Sequence, residues 1–239
     1  MKNLCTLQDT METVTIIIPV KDEEVGLQYL LDNYKKSNYF NNSQISFIFV
    51  IDGRTSDLSK NVAREFSDIV IDQDKTHGKG AAIRQALEVW SDNMTNYVIF
   101  MDADGSYSFE DVSKIIKSLD DGADVLSGSR FLEKKGIPKG MGYIHNFGNR
   151  ALSFIASLRN RRIISDLCTG LWGFKCDSID KLDLKSNGFD IEAEIAGKSR
   201  RSKLSHREVP VEWAERKGGS SKLNSFRDGT IILLRILRT

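Results

Sequence analysis

The sequence has few cysteines, little net charge and no long hydrophobic run. Its three cysteines, Cys5, Cys168 and Cys176, have neither the spacing of a disulfide framework nor that of a zinc site, and a small odd number favours a reducing cytosol. No stretch reaches the ~18 to 20 apolar residues of a membrane span, and no signal peptide precedes the first predicted strand. The net charge of +1 gives no reason to expect a nucleic acid partner. We therefore expect a cytoplasmic protein that does not cross the membrane.

Strands and helices alternate along the first half of the chain. Short apolar runs, most of them β-branched, predict strands at residues 14–18, 47–51, 69–71, 97–101 and 124–127. Segments typical of helices lie between them, at residues 23–36, 57–66, 78–90 and 109–119. This alternation predicts an α/β fold with a mostly parallel central sheet and helices on both faces.

The second half of the chain is less regular. We predict helices at residues 143–160 and 226–238, the second one amphipathic, and strands at residues 171–174 and 206–213. Because the chain is long enough for one large core and has no repeat or clear linker, we expect a single domain over residues 1–239.

Acidic residues follow three of the predicted strands. They are Asp22-Glu23, Asp52 and Asp102-Ala103-Asp104, and ligands of open parallel sheets bind beyond these carboxyl ends, so we expect them along one rim. Two aspartates separated by one residue can both face a hard cation such as Mg²⁺ or Mn²⁺, which prefers oxygen ligands and shares them with substrate phosphates. The alternative is an ordinary turn, since Asp and Gly are common turn residues.

A glycine-rich segment, Gly78-Lys79-Gly80, opens the third predicted helix. Glycines allow a ligand to approach the backbone, and Lys79 can contact a phosphate there or be a plain surface residue. The segment lacks the Walker pattern, which argues against a P-loop kinase or ATPase. No GxGxxG follows the first strand, which argues against a dinucleotide-binding dehydrogenase.

The order of these motifs resembles the family 2 glycosyltransferases of the GT-A fold, and within them the polyprenyl-phosphate (dolichyl-phosphate) mannosyl- and glucosyltransferases. The resemblance extends from Val14 to about Leu237. Further motifs that carry it are Gly128-Ser129-Arg130, Asn146-Phe147-Gly148-Asn149-Arg150, Cys168-Thr169-Gly170, Gly173-Phe174, Gly188-Phe189-Asp190-Ile191-Glu192, Arg216 and Gly219-Ser220-Ser221-Lys222-Leu223.

The resemblance implies a Rossmann-like GT-A domain with a nucleotide-sugar half at residues 14–128 and an acceptor half at residues 129–239. It implies that the nucleotide sugar is bound by Pro19, Val20, Glu23, Asp52, Gly78, Lys79, Asp102, Ala103, Asp104, Glu192 and Arg216. It implies a metal, Mg²⁺ or Mn²⁺, at Asp102 and Asp104. It also implies that the catalytic residues are Asp104, Arg130, Arg150 and Lys222, the three cations holding phosphates.

The chain departs from the family pattern at three points. Asp22 stands where the family usually has Asn, and Arg54 stands where the usual Asp-Asp-Gly-Ser ends in Ser. After the second aspartate, Gly105-Ser106 replaces the Leu-Gln typical of mannosyl enzymes, so the motif looks more like the glucosyl branch.

These features favour an inverting, metal-dependent transfer of a hexose from a UDP- or GDP-sugar to a polyprenyl or dolichyl phosphate. Such an acceptor has little need of a side chain that acts as general base, because a phosphate with a second pKa of about 6 is already largely ionised near neutral pH. One alternative is a saccharide or other hydroxyl acceptor, with Asp190 or Glu192 as the base. A second is an inactive sugar- or lipid-binding module.

The last apolar segment, Ile231 to Arg238, carries flanking cations. This composition is suited to a bilayer surface, although a helix of the core is equally compatible with it. We expect peripheral contact with the cytoplasmic face of a membrane. The sequence leaves the sugar, the base and the oligomeric state open.

Overall fold

The computed structural model describes residues 13–37, 44–67, 69–73, 76–91, 95–133 and 136–239. These residues form the strands β1 (Val14–Val20), β2 (Ile45–Asp52), β3 (Val70–Gln73), β4 (Tyr97–Phe100), β5 (Val125–Ser129), β6 (Trp172–Lys175) and β7 (His206–Pro210). The α-helices are α1 (Glu24–Lys36), α2 (Ser59–Phe66), α3 (Lys79–Trp90), α4 (Phe109–Asp120), α5 (Tyr143–Asn160), α6 (Cys176–Ile179), α7 (Ile191–Arg201) and α8 (Ser225–Arg238). Cys168 is a free cysteine, and Cys5 lies outside the described residues.

The strands form one mixed sheet in the order β3-β2-β1-β4-β6-β5-β7. The pairs β1–β2, β1–β4, β2–β3 and β5–β7 are parallel, whereas β6 runs antiparallel to both β4 and β5. The predicted mostly parallel sheet is confirmed. The antiparallel direction of β6 was not predicted, because the composition of a short strand does not specify its direction.

β1 lies in the interior of the sheet, and its apolar residues are buried on both faces. Ile16 and Ile18 belong to one hydrophobic cluster and Ile17 to the other. The pairing of β1 with β4 ends at Ile17 and Phe100, while its pairing with β2 continues through Pro19 to Val20. Pro19, which has no N–H to donate, therefore lies just beyond the point where β1 and β4 separate. A crevice opens there, as expected for parallel sheets.

Helices cover both faces of the sheet, as predicted. One hydrophobic cluster joins the sheet to α1, α2 and α4 through residues such as Leu27, Leu30, Ala63, Val112 and Ile115. The other joins it to α3, α5, α7 and α8 through residues such as Ala82, Ala156, Ile191, Ile195, Ile232 and Ile236. Each face is thus closed by a separate apolar layer.

Two elements of the second half differ from the prediction. The strand expected at residues 206–213 ends at Pro210, although the Val211 N–H still donates to the Ser129 carbonyl of β5 and Val211 packs in the core. Helix α7 was missed, because it is buried on nearly all sides and its sequence has no polar face with a helical period.

The C-terminal helix is confirmed as α8. Ile232 and Ile236 are buried, while Phe226, Leu234 and Leu237 are exposed, so apolar side chains lie on more than one side of the helix. Arg235 Nε lies 2.8 Å from Asp190 Oδ2, and this ion pair attaches α8 to the residue that precedes α7. Among the described helices, none combines the length and apolarity that a membrane span requires.

His206 marks the edge of the sheet at β7. Its Nε2 lies 2.8 Å from Ser127 Oγ, its Nδ1 contacts the guanidinium of Arg162, and its ring lies 5.2 Å from the ring of Trp172. Burial, and secondarily the charge of Arg162, lower the pKa of His206 well below its usual range. The ring is therefore neutral in the folded protein near neutral pH.

We predict that His206 makes the fold sensitive to acid. Because its pKa is depressed in the folded state, its contribution to stability is present above the unfolded pKa of about 6.5 and is lost as the pH falls below it. The free energy of unfolding is measured with urea and circular dichroism at pH 7 and at pH 5.5. Between these two pH values, His206→Gln should lose about 1 kcal/mol less of this free energy than the wild type does. His145→Gln, at an exposed position of α5, is the control. An unchanged pH dependence in His206→Gln would contradict this role.

Candidate active site

A cavity of about 1130 Å³ opens at the carboxyl ends of β1, β2 and β4. Its lining includes Glu23, Asp52, Asp102 and Asp104, which therefore lie along one rim as predicted, whereas Asp22 is outside the lining. Thirteen of the fourteen predicted site residues line this cavity, namely Pro19, Val20, Glu23, Asp52, Gly78, Lys79, Asp102, Ala103, Asp104, Arg130, Glu192, Arg216 and Lys222. The fourteenth, Arg150, does not.

Lys79 lies between two carboxylates. Its Nζ is 2.7 Å from Asp102 Oδ1 and 2.8 Å from Glu192 Oε1. Gly78, with φ of 109°, precedes α3, and Ala81 N–H donates to the Asn187 carbonyl, so the start of α3 is held against the segment before α7. Burial alone would lower the pKa of Lys79, but the two carboxylates outweigh it and raise this pKa. Lys79 is therefore charged. Because its side chain is only 12% exposed, the alternative that Lys79 is a plain surface residue is wrong.

Asp104 belongs to a second ion-pair group. Its Oδ2 lies 3.1 Å from Arg216 Nη2, and Arg216 Nη1 lies 2.5 Å from Glu23 Oε1. Asp104 Oδ1 accepts hydrogen bonds from the backbone and hydroxyl of Ser106. Burial raises the pKa of Glu23 to about 7, with Arg216 opposing the shift, and Glu23 Oε2 is buried without a hydrogen-bond partner among the described residues. Arg216 thus links the ends of β1 and β4.

Asp102 and Asp104 offer the oxygen ligands that Mg²⁺ and Mn²⁺ prefer. Asp102 Oδ2 lies directly against Gly170, where an added β-carbon would be 1.8 Å away, so this glycine leaves space for the carboxylate. In the described part of the chain, no group of three or more His, Cys, Asp or Glu residues could hold a metal. Two carboxylates are few ligands for such a cation, so oxygens of a bound diphosphate would have to complete its ligand set.

Arg130 is held by Asp166 at the other side of the cavity. Its Nε and Nη2 lie 2.6 and 2.7 Å from the two Asp166 oxygens, and Nη2 also donates to the Cys168 carbonyl. Within the described residues, Nη1 makes no hydrogen bond, so it can bind an anion in the cavity. Asp166 was missed by sequence reasoning, because nothing in its spacing distinguishes it from a surface aspartate.

Arg150 lies outside the cavity, on the exposed side of α5. Its guanidinium hydrogen-bonds Asn146 Oδ1 and the Gly136 carbonyl and lies 4.6 Å from the centre of the Phe131 ring. The Cζ atom of Arg130 lies 5.9 Å from the centre of the same ring, so Arg150 and Arg130 flank Phe131, although Arg150 does not line the cavity. Its predicted contact with a phosphate remains a prediction.

The mouth of the cavity is apolar. Ile144 and Phe147 of α5 and Phe226 of α8 line it, and all three are largely exposed. One cavity thus combines carboxylates and cations at the sheet with exposed apolar side chains at its entrance. Sequence reasoning identified the apolar character of α8 but missed that of α5.

We predict that a methyl group at Gly170 disturbs the Asp102–Lys79 pair. Gly170→Ala should cost about 1 to 3 kcal/mol of unfolding free energy, because the new β-carbon collides with the Asp102 carboxylate. In an Asp102→Ala background the same change should cost much less, which a double-mutant cycle in urea measures. Gly148→Ala, in α5 with open space around it, is the matched control. Equal costs in both backgrounds would contradict the collision.

Comparisons with known proteins identify the family of the chain. The model of the Glycosyl transferase family 2 matches residues 15–183. Glycosyltransferase AglJ of Haloferax volcanii is 29% identical over 230 residues, covering 96% of this chain and 72% of AglJ. A dolichyl-phosphate hexose transferase of the same organism is 29% identical over 189 residues, covering 77% of each chain. Crystalline glucosyl-3-phosphoglycerate synthase from Mycobacterium tuberculosis, with Mn²⁺ and UDP-glucose, superposes with a TM-score of 0.70 at 15% identity, covering 95% of this chain and 78% of that chain.

The structural likeness, at such low identity, shows the GT-A fold. The family match extends over most of the chain and includes the ends of β1, β2 and β4, whereas Glu192, Arg216 and Lys222 of the cavity lining lie beyond it. The chain belongs to the family 2 glycosyltransferases and is a hexosyltransferase.

Proposed function

We propose that this enzyme transfers a hexose from a UDP- or GDP-sugar to a polyprenyl or dolichyl phosphate, with inversion and with Mg²⁺ or Mn²⁺. The observation that carries the proposal is the composition of the cavity. Carboxylates and cations suited to a nucleotide diphosphate line the same cavity as exposed apolar residues suited to a lipid chain. The dolichyl-phosphate hexose transferase among the relatives supports the lipid phosphate.

The donor end is proposed at the carboxyl ends of β1, β2 and β4. Asp102 and Asp104 would hold the cation, which when bound supplies positive charge to the departing diphosphate. Lys79 keeps the Asp102 carboxylate in place, and Arg216 does the same for Asp104. The solved synthase with Mn²⁺ and UDP-glucose supports this assignment.

The acceptor phosphate is proposed to bind at Arg130 and Lys222. One of its oxygens attacks the anomeric carbon from the face opposite the nucleotide. The bond from that carbon to the donor diphosphate breaks, and its electron pair leaves with the diphosphate. Arg130 contributes orientation, because Asp166 fixes its guanidinium and leaves Nη1 for the phosphate.

The hydroxyl-acceptor alternative needs a base, and the two carboxylates suggested for this role are engaged elsewhere. Asp190 is not among the residues that line the cavity, and it bonds Ser186 Oγ and Arg235 Nε. Glu192 lines the cavity but is paired with Lys79. An ionised phosphate acceptor avoids the need for a base, so it fits these residues better.

We propose that α5 and α8 dock the enzyme on the membrane that contains the acceptor. Tyr143, Phe147, Phe154 and Leu158 are spaced to share one side of α5, and their exposed fractions are 82%, 76%, 64% and 66%. Exposed Phe226, Leu234 and Leu237 on the neighbouring α8 add to the apolar surface. Arg150, on the same side of α5, would then face lipid headgroups. The cytoplasmic leaflet is proposed as the docking surface.

The acceptor is tested by incubating the chain with labelled UDP- and GDP-sugars, polyprenyl phosphate and Mg²⁺ or Mn²⁺. We expect a labelled sugar–lipid, and Asp104→Asn should form it about a hundredfold more slowly, because the cation loses a carboxylate ligand. Asp121→Asn, at the exposed end of α4, is the control. Transfer only to a saccharide would favour the hydroxyl acceptor, and nucleotide binding without transfer would favour an inactive binding module. Full turnover by Asp104→Asn would refute the metal role.

Docking is tested by flotation with vesicles of phosphatidylcholine and an anionic phospholipid. The double variant Phe154→Ser/Leu158→Ser, which changes residues outside the cavity lining, should lower the membrane partition coefficient at least about tenfold. Leu58→Ser, which removes an apolar side chain of similar exposure at the start of α2, should have no effect. Equal flotation of all three proteins would exclude this surface. Point changes are preferred to deletion of α8, which would remove the buried Ile232 and Ile236.

A further inference from the structure

Asp52 and Arg54 form a tight turn at the end of β2, where the chain departs from the family pattern. The Asp52 carbonyl accepts the Thr55 N–H, and Gly53 N–H donates to the Gln73 carbonyl of β3. Asp52 Oδ1 also accepts the backbone N–H of Arg54. These bonds fix the backbone of Arg54, whose side chain lines the cavity beside Asp52.

The Asp52 carboxylate is already occupied by its own neighbours. Arg54 Nε lies 2.8 Å from Oδ1 and Nη2 lies 2.6 Å from Oδ2, which is a two-bond ion pair. His77 Nδ1 lies on the Oδ1 side at 3.5 Å. Hydrogen bonding from Arg54 lowers the pKa of Asp52 to about 2, although burial opposes the shift. A nucleobase N–H would therefore compete with Arg54 for the carboxylate of Asp52, whose side chain is only 6% exposed.

The guanidinium of Arg54 still has an open edge. The ion pair uses Nε and one hydrogen of Nη2, so both hydrogens of Nη1 and the second hydrogen of Nη2 remain for a ligand. The side chain is 55% exposed despite its two bonds to Asp52. At this corner the cavity thus presents paired hydrogen-bond donors, whereas the usual Ser at this position would leave the carboxylate free as an acceptor.

We propose that Arg54, and not Asp52, contacts the nucleotide base, and that it selects guanine over uracil. The inference rests on the proposed use of a nucleotide sugar. Guanine presents two adjacent acceptors, O6 and N7, which match the paired donors of an arginine. Uracil has no second acceptor beside O4, and its N3–H would have to share the Asp52 carboxylate with Arg54. Arg54 is therefore a specificity-determining residue of the donor site.

The test is calorimetric titration of the full chain with GDP and with UDP, both at the same Mg²⁺ concentration. The wild type should bind GDP at least about tenfold more tightly than UDP. Arg54→Ser should abolish this ratio or reverse it, because Asp52 becomes free to accept the uracil N3–H. Arg54→Lys, which keeps the charge but not the fork, should also lose the preference. Arg64→Ser, at an exposed position of α2, is the matched control and should keep the wild-type ratio.

The outcomes separate this inference from the proposed function. Equal or tighter binding of UDP by the wild type would overturn the selection of guanine and leave the proposed transfer intact. An unchanged GDP preference in Arg54→Ser would overturn the role of Arg54. Failure of the wild type to bind either nucleotide would overturn both. Thermal unfolding checks whether Arg54→Ser folds. If it does not, the role of Arg54 is judged from the ratio of GDP to UDP affinity in Arg54→Lys and in the wild type.

Discussion

The arrangement of the cavity depends on the separation of β1 from β4 at the middle of a parallel sheet. Because the two strands pair only as far as Ile17 and Phe100, the segments that follow them can place carboxylates around an open crevice. Asp102 and Asp104 follow β4, and each meets a cation from a distant part of the chain. Asp104 is buried and the Lys79 side chain is only 12% exposed, and each needs its partner because an unpaired buried charge is costly. The ion pairs consequently tie α3 and the loop before α8 to the end of β4.

Sequence reasoning was most successful where the residues follow strands of the first half. Each of these strands is an apolar run followed by polar residues, and the carboxyl ends of parallel strands meet at one edge, so Asp52, Asp102 and Asp104 could be placed together without coordinates. The length of α5 was predicted for a similar local reason, since its period is regular. These predictions need only local composition and one general rule of sheet geometry.

The elements that sequence reasoning missed depend on tertiary contacts. Helix α7 is enclosed by the sheet and by α5 and α8, so its sequence has no polar stripe. Asp166 acts through Arg130, a residue 36 positions earlier, and no spacing rule links the two. Arg150 was grouped with the other cations because of its motif, but its hydrogen bonds to Asn146 and Gly136 hold it outside the cavity, where it meets Arg130 across the Phe131 ring. The direction of a side chain on a long helix depends on what the helix packs against.

The cations of the cavity are largely neutralised by its own carboxylates, and this has a consequence for substrate binding. Lys79 is shared by Asp102 and Glu192, Arg216 by Asp104 and Glu23, and Arg54 is bound to Asp52. A nucleotide diphosphate would add negative charge to a donor end that has no excess of positive charge. The protein's own side chains therefore cannot balance the diphosphate, which is a physical reason for the divalent cation in the proposed reaction. Arg130 Nη1 makes no hydrogen bond within the described residues, which would let the proposed acceptor phosphate bind there without a second cation.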